Sequence, residues 1–246
     1  MSPYLGRFAS IAVDPIEKKP LYHWRPGSRI LSLGGVRCNF SCRFCQNHSL
    51  SAPDMKLVAS GLREVPKEEL AAAARRLGVP SVAYTYNEPT LQAEYIADAA
   101  RALKDEGIAS VMVTNGSFSR EVCEELITVI DAMNIDIKTF GEKNYDGLSG
   151  GRGTLRAVTD NVERLAGGGV HVELTNLVVP GVSDDEADFE AMIDWIAGVS
   201  VSMPLHISRY FPAYKYDAPP TDVGLMKKFK RIAEGKLKYA HLGNVW

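Results

Sequence analysis

Residues 30–45 read ILSLGGVRCNFSCRFC, in which a short apolar run leads into Cys38, Cys42 and Cys45. Three thiolates at this C-x3-C-x2-C spacing can surround one metal centre, but they cannot complete a four-cysteine site. A cubic iron–sulfur cluster held by three thiolates keeps one iron open for a further ligand, which suits chemistry on a bound molecule better than electron relay. The sequence therefore predicts a metal or cluster site on the loop that follows this apolar run.

Two other interpretations of the cysteines stay open. Disulfides are rare in reducing compartments, and the start MSPY lacks the basic and apolar regions of a signal peptide, so we expect a reduced, cytoplasmic setting. Structural zinc is the stronger alternative, because His48 follows Cys45 closely enough for a three-cysteine, one-histidine site. Cys123 lies in a helical pattern, and we expect it to be a buried thiol.

Composition places the chain among ordinary globular proteins. It has 246 residues, of which 46% are hydrophobic and 24% charged, with a net charge of −2. No apolar run approaches the ~20 residues that cross a bilayer, so we expect no membrane span. The small net charge provides no field that would recruit nucleic acid. We expect a single domain over residues 1–246, in which residues 1–28 form a lead-in segment.

Short apolar runs alternate with helical patterns along the chain. We predict strands at 30–33, 81–84, 110–113, 134–137, 171–179 and 205–208, with a weaker one at 238–242. The predicted helices lie at 67–77, 91–106, 120–130, 156–165, 185–196 and 222–233. This alternation requires parallel strands joined by right-handed crossovers, and about six units predict an α/β fold, a partial (β/α)6 TIM-like barrel.

Polar residues follow each of the six stronger strands, at 34–37, 84–89, 114–116, 136–138, 179–181 and 206–209. In parallel barrels the functional groups lie at the carboxyl ends of the strands. One such segment could be a turn or a helix cap, but six at equivalent positions predict a site. The aromatic segment YFPAYKY, residues 210–216, follows the sixth strand, and we expect it to form a wall or lid of that site.

The C-x3-C-x-aromatic-C pattern, with Phe44 as its aromatic residue, resembles the hallmark of the radical S-adenosylmethionine (radical SAM) superfamily. Nearly the whole chain is similar to the pyruvate formate-lyase activase-like branch. Within that branch it most resembles the radical SAM enzyme of the AmmeMemoRadiSam system. The phrases DPIEKKPLYH at 14–23, CQN at 45–47, YTYNEPT at 84–90 and PLHISR at 204–209 carry this resemblance.

The resemblance implies that Cys38, Cys42 and Cys45 are catalytic residues that ligate a [4Fe–4S] cluster. It also implies a set of S-adenosylmethionine or cofactor contacts, which are Phe44, Asn87, Glu88, Thr114, Asn115, Asp136, Lys138, Val179 and His206. Residues 86–89, Tyr-Asn-Glu-Pro, occupy the place of a Gly-Gly-Glu-Pro segment that cradles the methionine ammonium group. Lys138 and Asp136 are expected near the methionine carboxylate and ribose, Val179 near adenine and His206 near ribose.

The function implied by the resemblance is reductive cleavage of S-adenosylmethionine to methionine and a 5′-deoxyadenosyl radical, which abstracts hydrogen from a substrate. The implied partners are Memo- and AMMECR1-like proteins and a flavodoxin or ferredoxin electron donor. Two alternatives stay open: an activase acting on a glycyl radical enzyme, and a zinc-stabilised binding module. A lateral opening in the barrel would suit a protein substrate and a closed barrel a small molecule, and the sequence does not decide between them.

Overall fold

The structure, a computed structural model, describes residues 4–151 and 153–245, with Leu57 described by its backbone only. In chain order its strands are β1 (Arg7–Phe8), β2 (Ser10–Pro15), β3 (Arg29–Gly34), β4 (Arg63–Glu64), β5 (Ser81–Tyr84), β6 (Ala109–Thr114), β7 (Ala132–Asp136), β8 (His171–Val178), β9 (Leu205–Arg209) and β10 (Ala240–Gly243). The helices are α1 (His48–Ser51), α2 (Met55–Val58), α3 (Lys67–Leu77), α4 (Ala93–Asp105), α5 (Arg120–Val129), α6 (Glu142–Ser149), α7 (Thr154–Gly167), α8 (Glu186–Val199) and α9 (Val223–Glu234). Short 3-10 turns lie at Ile16–Lys18, Ala59–Gly61 and Pro89–Gln92.

One sheet carries eight of these strands, in the order β10-β9-β8-β7-β6-β5-β3-β2. Neighbouring strands from β3 to β10 pair in parallel, and β2 pairs antiparallel with β3. The two edge strands do not pair with each other within the described residues, so the sheet is an open, partial barrel. The predicted parallel α/β architecture is confirmed.

Three details of the fold go beyond the prediction. The weaker strand predicted at 238–242 is β10, a full member of the sheet, so the parallel strands number seven among the described residues. The lead-in segment contributes β2, whose six residues pair with β3 along its whole length. Helix α6 was also missed, because Tyr145 and Leu148 are its only buried side chains and provide little apolar periodicity.

Side-chain caps mark the starts of three helices. Ser119 accepts a hydrogen bond from the backbone N–H of Val122 at the start of α5. Asp185 caps α8, and Asp222 accepts from the N–H of Leu225 at the start of α9. These side chains satisfy N–H groups that have no partner within the helix.

The segment between β2 and β3 crosses the concave face of the sheet. Ile16 and Leu21 are fully buried there against residues of β3, β5, β6 and β7. Asn134 of β7 donates a hydrogen bond to the carbonyl oxygen of Pro20 at 2.9 Å. We call residues 14–23, which run from the last two residues of β2 into this segment, the crossing segment.

A larger apolar core fills the space between the convex face of the sheet and the helices. Of the helices in the described part of the chain, none combines the length and apolar character that a membrane crossing needs.

Candidate cofactor and active site

A cavity of about 1230 Å³ opens at the carboxyl ends of the parallel strands. Its walls include the loops after β3, β5, β6, β7, β9 and β10 and part of the crossing segment. The predicted site residues that line it are Cys38, Cys42, Phe44, Cys45, Asn87, Glu88, Thr114, Asn115, Asp136, Lys138 and His206. The volume exceeds the ~300–1,000 Å³ of a typical ligand pocket, so more than one small ligand can fit.

Val179 differs from the other predicted site residues, because its side chain is fully buried outside the cavity lining. Its backbone N–H donates to the Ser183 hydroxyl at 2.8 Å in the turn after β8. The placement of the turn at Val179 near adenine therefore stays a prediction. The aromatic segment does reach the site, since Tyr214 and Lys215 line the cavity.

Hydrogen-bond donors surround the Cys38 thiol. The backbone N–H of Phe40 lies 3.3 Å from Cys38 Sγ, and Asn115 Nδ2 lies 3.7 Å from it. Burial raises the pKa of Cys38 to about 11 and also raises the pKa of Cys42, because the thiolate form loses hydration. Binding of a metal centre would therefore have to displace protons from these thiols. The N–H groups around Cys38 suit a sulfur that becomes negatively charged on ligation.

The donor set of the cysteine loop suits a cluster. Within residues 4–151 and 153–245, no three His, Cys, Asp or Glu side chains are arranged to hold one metal ion. The ring of His48 stacks on Tyr214, with ring centroids 4.7 Å apart. A cubic cluster places its three thiolates on three different irons, so they need not converge on one point. Three thiols facing one cavity are the donor set that such a cluster takes.

Glu88 is held by four hydrogen-bond donors on two loops. Thr90 donates its N–H and its hydroxyl to Oε1, Thr114 donates its hydroxyl to the same oxygen, and the N–H of Asn115 donates to Oε2. The side chain is almost fully buried, which raises its pKa, although the four donors act in the opposite direction. Glu88 thus joins the loops after β5 and β6 at the edge of the cavity.

Asn87 ties the loop after β5 to the start of the cysteine loop. Its Nδ2 donates to the carbonyl oxygen of Arg37 at 3.0 Å, and its Oδ1 accepts from the N–H of Gly35 at 2.9 Å. A Cβ atom at Gly35 would lie 2.6 Å from Gln92 Nε2, so a larger residue there would displace the end of the Gln92 side chain. The segment that replaces Gly-Gly-Glu-Pro is therefore built into the cavity wall.

Asp136 and Lys138 form an ion pair at the end of β7, with Nζ and Oδ2 2.6 Å apart. Burial alone would lower the pKa of Lys138, but Asp136 and Cys42 raise it well above its ordinary value. The ammonium group is therefore charged, close to the cysteine loop and facing the cavity. Such a group can receive an anionic group of a ligand.

His206 lies beside a fully buried carboxylate on β8. Its Nε2 donates to Glu173 Oε2 at 2.7 Å, and Nε2 of His171 donates to Oε1 at 3.0 Å. The backbone N–H groups of Tyr22 and His23 donate to the same carboxylate. Burial would raise the pKa of Glu173, but these hydrogen bonds lower it to about 2. The carboxylate therefore fixes the imidazole ring of His206 at the cavity wall.

Reasoning from the sequence alone missed Glu173, Asp14 and Lys19. Glu173 could have been found, because polar residues recur at every second position of β8, the spacing of side chains that share one face. Asp14 and Lys19 were noted only as part of a characteristic phrase.

These features define a class of protein: a partial parallel barrel that presents three thiols beside a ligand cavity. The family model of the radical SAM superfamily matches residues 33–196. The chain belongs to the radical SAM superfamily. Enzymes of this superfamily use a [4Fe–4S] cluster and S-adenosylmethionine, and these are the cofactors of this chain.

Four relatives span different parts of the chain. An uncharacterized protein of Methanocaldococcus jannaschii is 37% identical over 98% of this chain and 71% of its own length. A protein of the same organism named as a glycyl-radical enzyme activating enzyme is 25% identical over 90% of this chain and 88% of its own length. The pyruvate formate-lyase 1-activating enzyme of Escherichia coli is 36% identical over 40% of each chain. The chain spans 62% of a Pyrococcus horikoshii protein named as a probable GTP 3′,8-cyclase, at 25% identity.

Solved structures share the fold. A domain of the pyruvate-formate lyase-activating enzyme from Bacteroides vulgatus superposes with a TM-score of 0.56 at 17% identity, over 66% of this chain and 98% of that chain. Streptococcus suis SuiB bound to S-adenosylmethionine gives a TM-score of 0.64 at 15% identity, over 87% of this chain and 49% of that chain. The likeness to these structures concerns the partial barrel.

Proposed function

We propose that this chain cleaves S-adenosylmethionine reductively to methionine and a 5′-deoxyadenosyl radical, which takes a hydrogen atom from a substrate held in the same cavity. Cys38, Cys42 and Cys45 would hold the [4Fe–4S] cluster, which supplies the single electron for cleavage of the sulfonium S–C bond. A flavodoxin or ferredoxin would replace that electron. The observation that carries the proposal is that the three thiols and all but one of the predicted contacts line one cavity.

The surrounding residues have separate tasks in this proposal. Lys138 would pair with the methionine carboxylate, and Asp136 keeps the ammonium group of Lys138 in place. The loop of Asn87 and Glu88 would receive the methionine ammonium group, and His206 would contact the ribose. Phe44 is buried against Tyr216 and keeps water from the cysteine loop.

We propose Memo- and AMMECR1-like proteins as functional partners, on the strength of the phrases at 14–23 and 204–209. The second candidate is activation of a glycyl radical enzyme, in which hydrogen would be taken from a backbone glycine. It is favoured by the relative named as a glycyl-radical enzyme activating enzyme, which matches over most of both chains. The two candidates differ in the molecule that donates hydrogen to the radical.

Anaerobic reconstitution tests the cluster. We expect about four irons per chain in the wild type and their loss in Cys42→Ala. Cys123→Ala is the matched control, because Cys123 is fully buried in α5, outside the cavity lining. Four irons retained in a variant that lacks Cys38, Cys42 and Cys45 would refute the assignment.

The reduced, reconstituted enzyme should release 5′-deoxyadenosine and methionine slowly from S-adenosylmethionine, and its substrate should accelerate this release. Deuterium passed from a glycine-labelled glycyl radical enzyme into 5′-deoxyadenosine would establish the activase. Stimulation only by the Memo- and AMMECR1-like proteins, or by a small molecule that they supply, would support the first candidate. A fully loaded, reduced enzyme that forms no 5′-deoxyadenosine would refute both.

A further inference from the structure

The crossing segment ends on a buried carboxylate at each side of the cavity. At its start, Asp14 is 8% exposed and accepts hydrogen bonds from Lys19, Tyr86 and Ser32. At its end, the N–H groups of residues 22 and 23 donate to Glu173. Replacing buried, hydrogen-bonded charges by well-packed apolar side chains is often neutral or stabilising, because desolvation offsets the attraction between the charges. Two such carboxylates, one at each end of this short segment, therefore call for an explanation beyond stability.

The Asp14 end holds Tyr86, the first residue of the loop that contains Asn87 and Glu88. The Tyr86 hydroxyl donates to Asp14 Oδ2 at 2.5 Å. Lys19 is 1% exposed, and its Nζ lies 2.7 Å from the same oxygen and 4.4 Å from the centroid of the Tyr86 ring. Burial would raise the pKa of Asp14, but these hydrogen bonds hold it well below its ordinary value, so the carboxylate is charged.

The backbone of Tyr86 has a φ of 73°, in the left-handed region that side chains other than glycine avoid. Such a conformation is strained and persists only when surrounding contacts impose it. The Tyr86 ring also packs so closely on Gly34 that a Cβ atom there would lie 2.8 Å from it. The hydroxyl bond to Asp14 is thus one of the contacts that keep this loop in its strained shape.

The Glu173 end holds His206 on the opposite wall. One carboxylate accepts from Nε2 of His206 and from the two N–H groups of the crossing segment. Tyr22 packs edge-on against the His206 ring, with ring centroids 4.6 Å apart. The position of this imidazole therefore depends on the crossing segment as well as on its own strand.

We propose that the crossing segment is a positioning element of the S-adenosylmethionine site, in which Asp14 acts through Tyr86 and Glu173 acts through His206. This inference rests on the proposed function, because it takes the loop of residues 86–89 and His206 as contacts of S-adenosylmethionine. The segment links the methionine side of the site to the ribose side. Movement of the segment at either end changes the distance between the two halves of the binding site.

The test compares Tyr86→Phe with Tyr95→Phe. Each change removes one buried hydroxyl donor, since the Tyr95 hydroxyl donates to the carbonyl oxygen of Val65 at 2.8 Å, away from the cavity lining. We expect Tyr86→Phe to weaken S-adenosylmethionine binding about tenfold, measured by calorimetry on reconstituted protein. Tyr95→Phe should bind as the wild type does. Equal weakening in both variants, or none in Tyr86→Phe, would overturn the proposal.

A second readout needs no cofactor. The backbone N–H of Glu88 donates to the carbonyl oxygen of Arg37, so its hydrogen exchange reports on the shape of the loop. We expect faster exchange at this amide in Tyr86→Phe and no change in Tyr95→Phe. An unchanged rate in Tyr86→Phe would contradict the role of its hydroxyl, even in a protein that carries no cluster.

The link between the two ends is tested by combining Tyr86→Phe with Glu173→Gln. If the segment joins both walls, the fold-loss of S-adenosylmethionine affinity in the double variant is smaller than the product of the fold-losses in the two single variants. The reason is that a segment released at one end no longer positions the wall at the other end. Simple multiplication of the two losses would refute the link. A wild type that carries a full cluster and binds no S-adenosylmethionine would refute the proposed function instead, and the amide exchange would still test the loop.

Discussion

Acid should destabilise this protein through Glu173. The ordinary pKa of a glutamate is taken as 4.5, and the hydrogen bonds from histidine rings and backbone N–H groups lower that of Glu173 to about 2. A shift of this size corresponds to about 3 kcal/mol of folding free energy. Because the folded pKa lies below the unfolded one, this contribution is complete above pH 4.5 and is lost as the pH falls toward 2.

The measurement is the free energy of unfolding by urea, at a series of pH values from 7 to 3, for the wild type and Glu173→Gln. At pH 7 the variant should be less stable by about 3 kcal/mol, because its amide NH2 meets an N–H or ring donor that needs an acceptor. The difference in the free energy of unfolding between the wild type and Glu173→Gln should narrow steadily below pH 4.5. The neighbouring histidines are present in both proteins, so their titration largely cancels in the difference.

Glu163→Gln provides the control for this comparison. Glu163 is an exposed carboxylate that accepts one hydrogen bond, from Nε1 of Trp195. Its replacement should change the free energy of unfolding by less than ~0.5 kcal/mol at every pH. A gap between wild type and Glu173→Gln that stays constant from pH 7 to pH 3, or that is absent at pH 7, would refute the role given to the Glu173 carboxylate.

Three further predictions concern the walls of the cavity. Gly34→Ala should lower the free energy of unfolding, measured in urea, by about 1–3 kcal/mol, because its Cβ would lie 2.8 Å from the Tyr86 ring. Gly61→Ala is the control and should leave the free energy of unfolding almost unchanged, because Gly61 has open space around it. Glu88→Gln should lower the free energy of unfolding by about 2–4 kcal/mol in the same assay, since its amide NH2 must face the backbone N–H of Thr90 or of Asn115. An unchanged urea midpoint would contradict this prediction. Lys138→Met should retain the cluster and weaken S-adenosylmethionine binding by about 1–3 kcal/mol in calorimetry, and unchanged affinity would argue against its pairing with the methionine carboxylate.

The sequence predicted the fold where local signals are strong. The apolar run SVAY predicted β5 with the bounds that the structure has, and the helical pattern at 67–77 predicted α3. The lead-in strand β2 was missed, because it pairs only with β3 at the sheet edge and its apolar pattern is weak. Strand β10 was placed two residues early for a similar reason, since it contacts one neighbour only.

The sequence predicted which residues share one edge of the sheet where topology alone decides position. Parallel strands bring their carboxyl ends together, so Glu88, Thr114 and Asp136 had to lie at the same edge of the sheet. The positions of the Asp14 and Glu173 carboxylates could not be predicted in this way. Asp14 meets Tyr86 across 72 residues, and Glu173 meets the crossing segment across about 150, so no local pattern reports either contact.

A radical that removes hydrogen from whatever C–H bond lies nearest demands accurate placement more than strong binding. Four of the five histidines in the sequence, including His206 and His241, gather around Glu173. Three polar groups likewise converge on Asp14 at the other end of the crossing segment. Apolar side chains could fill the same volume without the cost of burying charge. Hydrogen bonds are directional, however, and fix the orientation of Tyr86 and His206 as apolar packing does not. In this proposal, the buried polar groups around Asp14 and Glu173 hold the two walls of the cofactor site at a fixed separation.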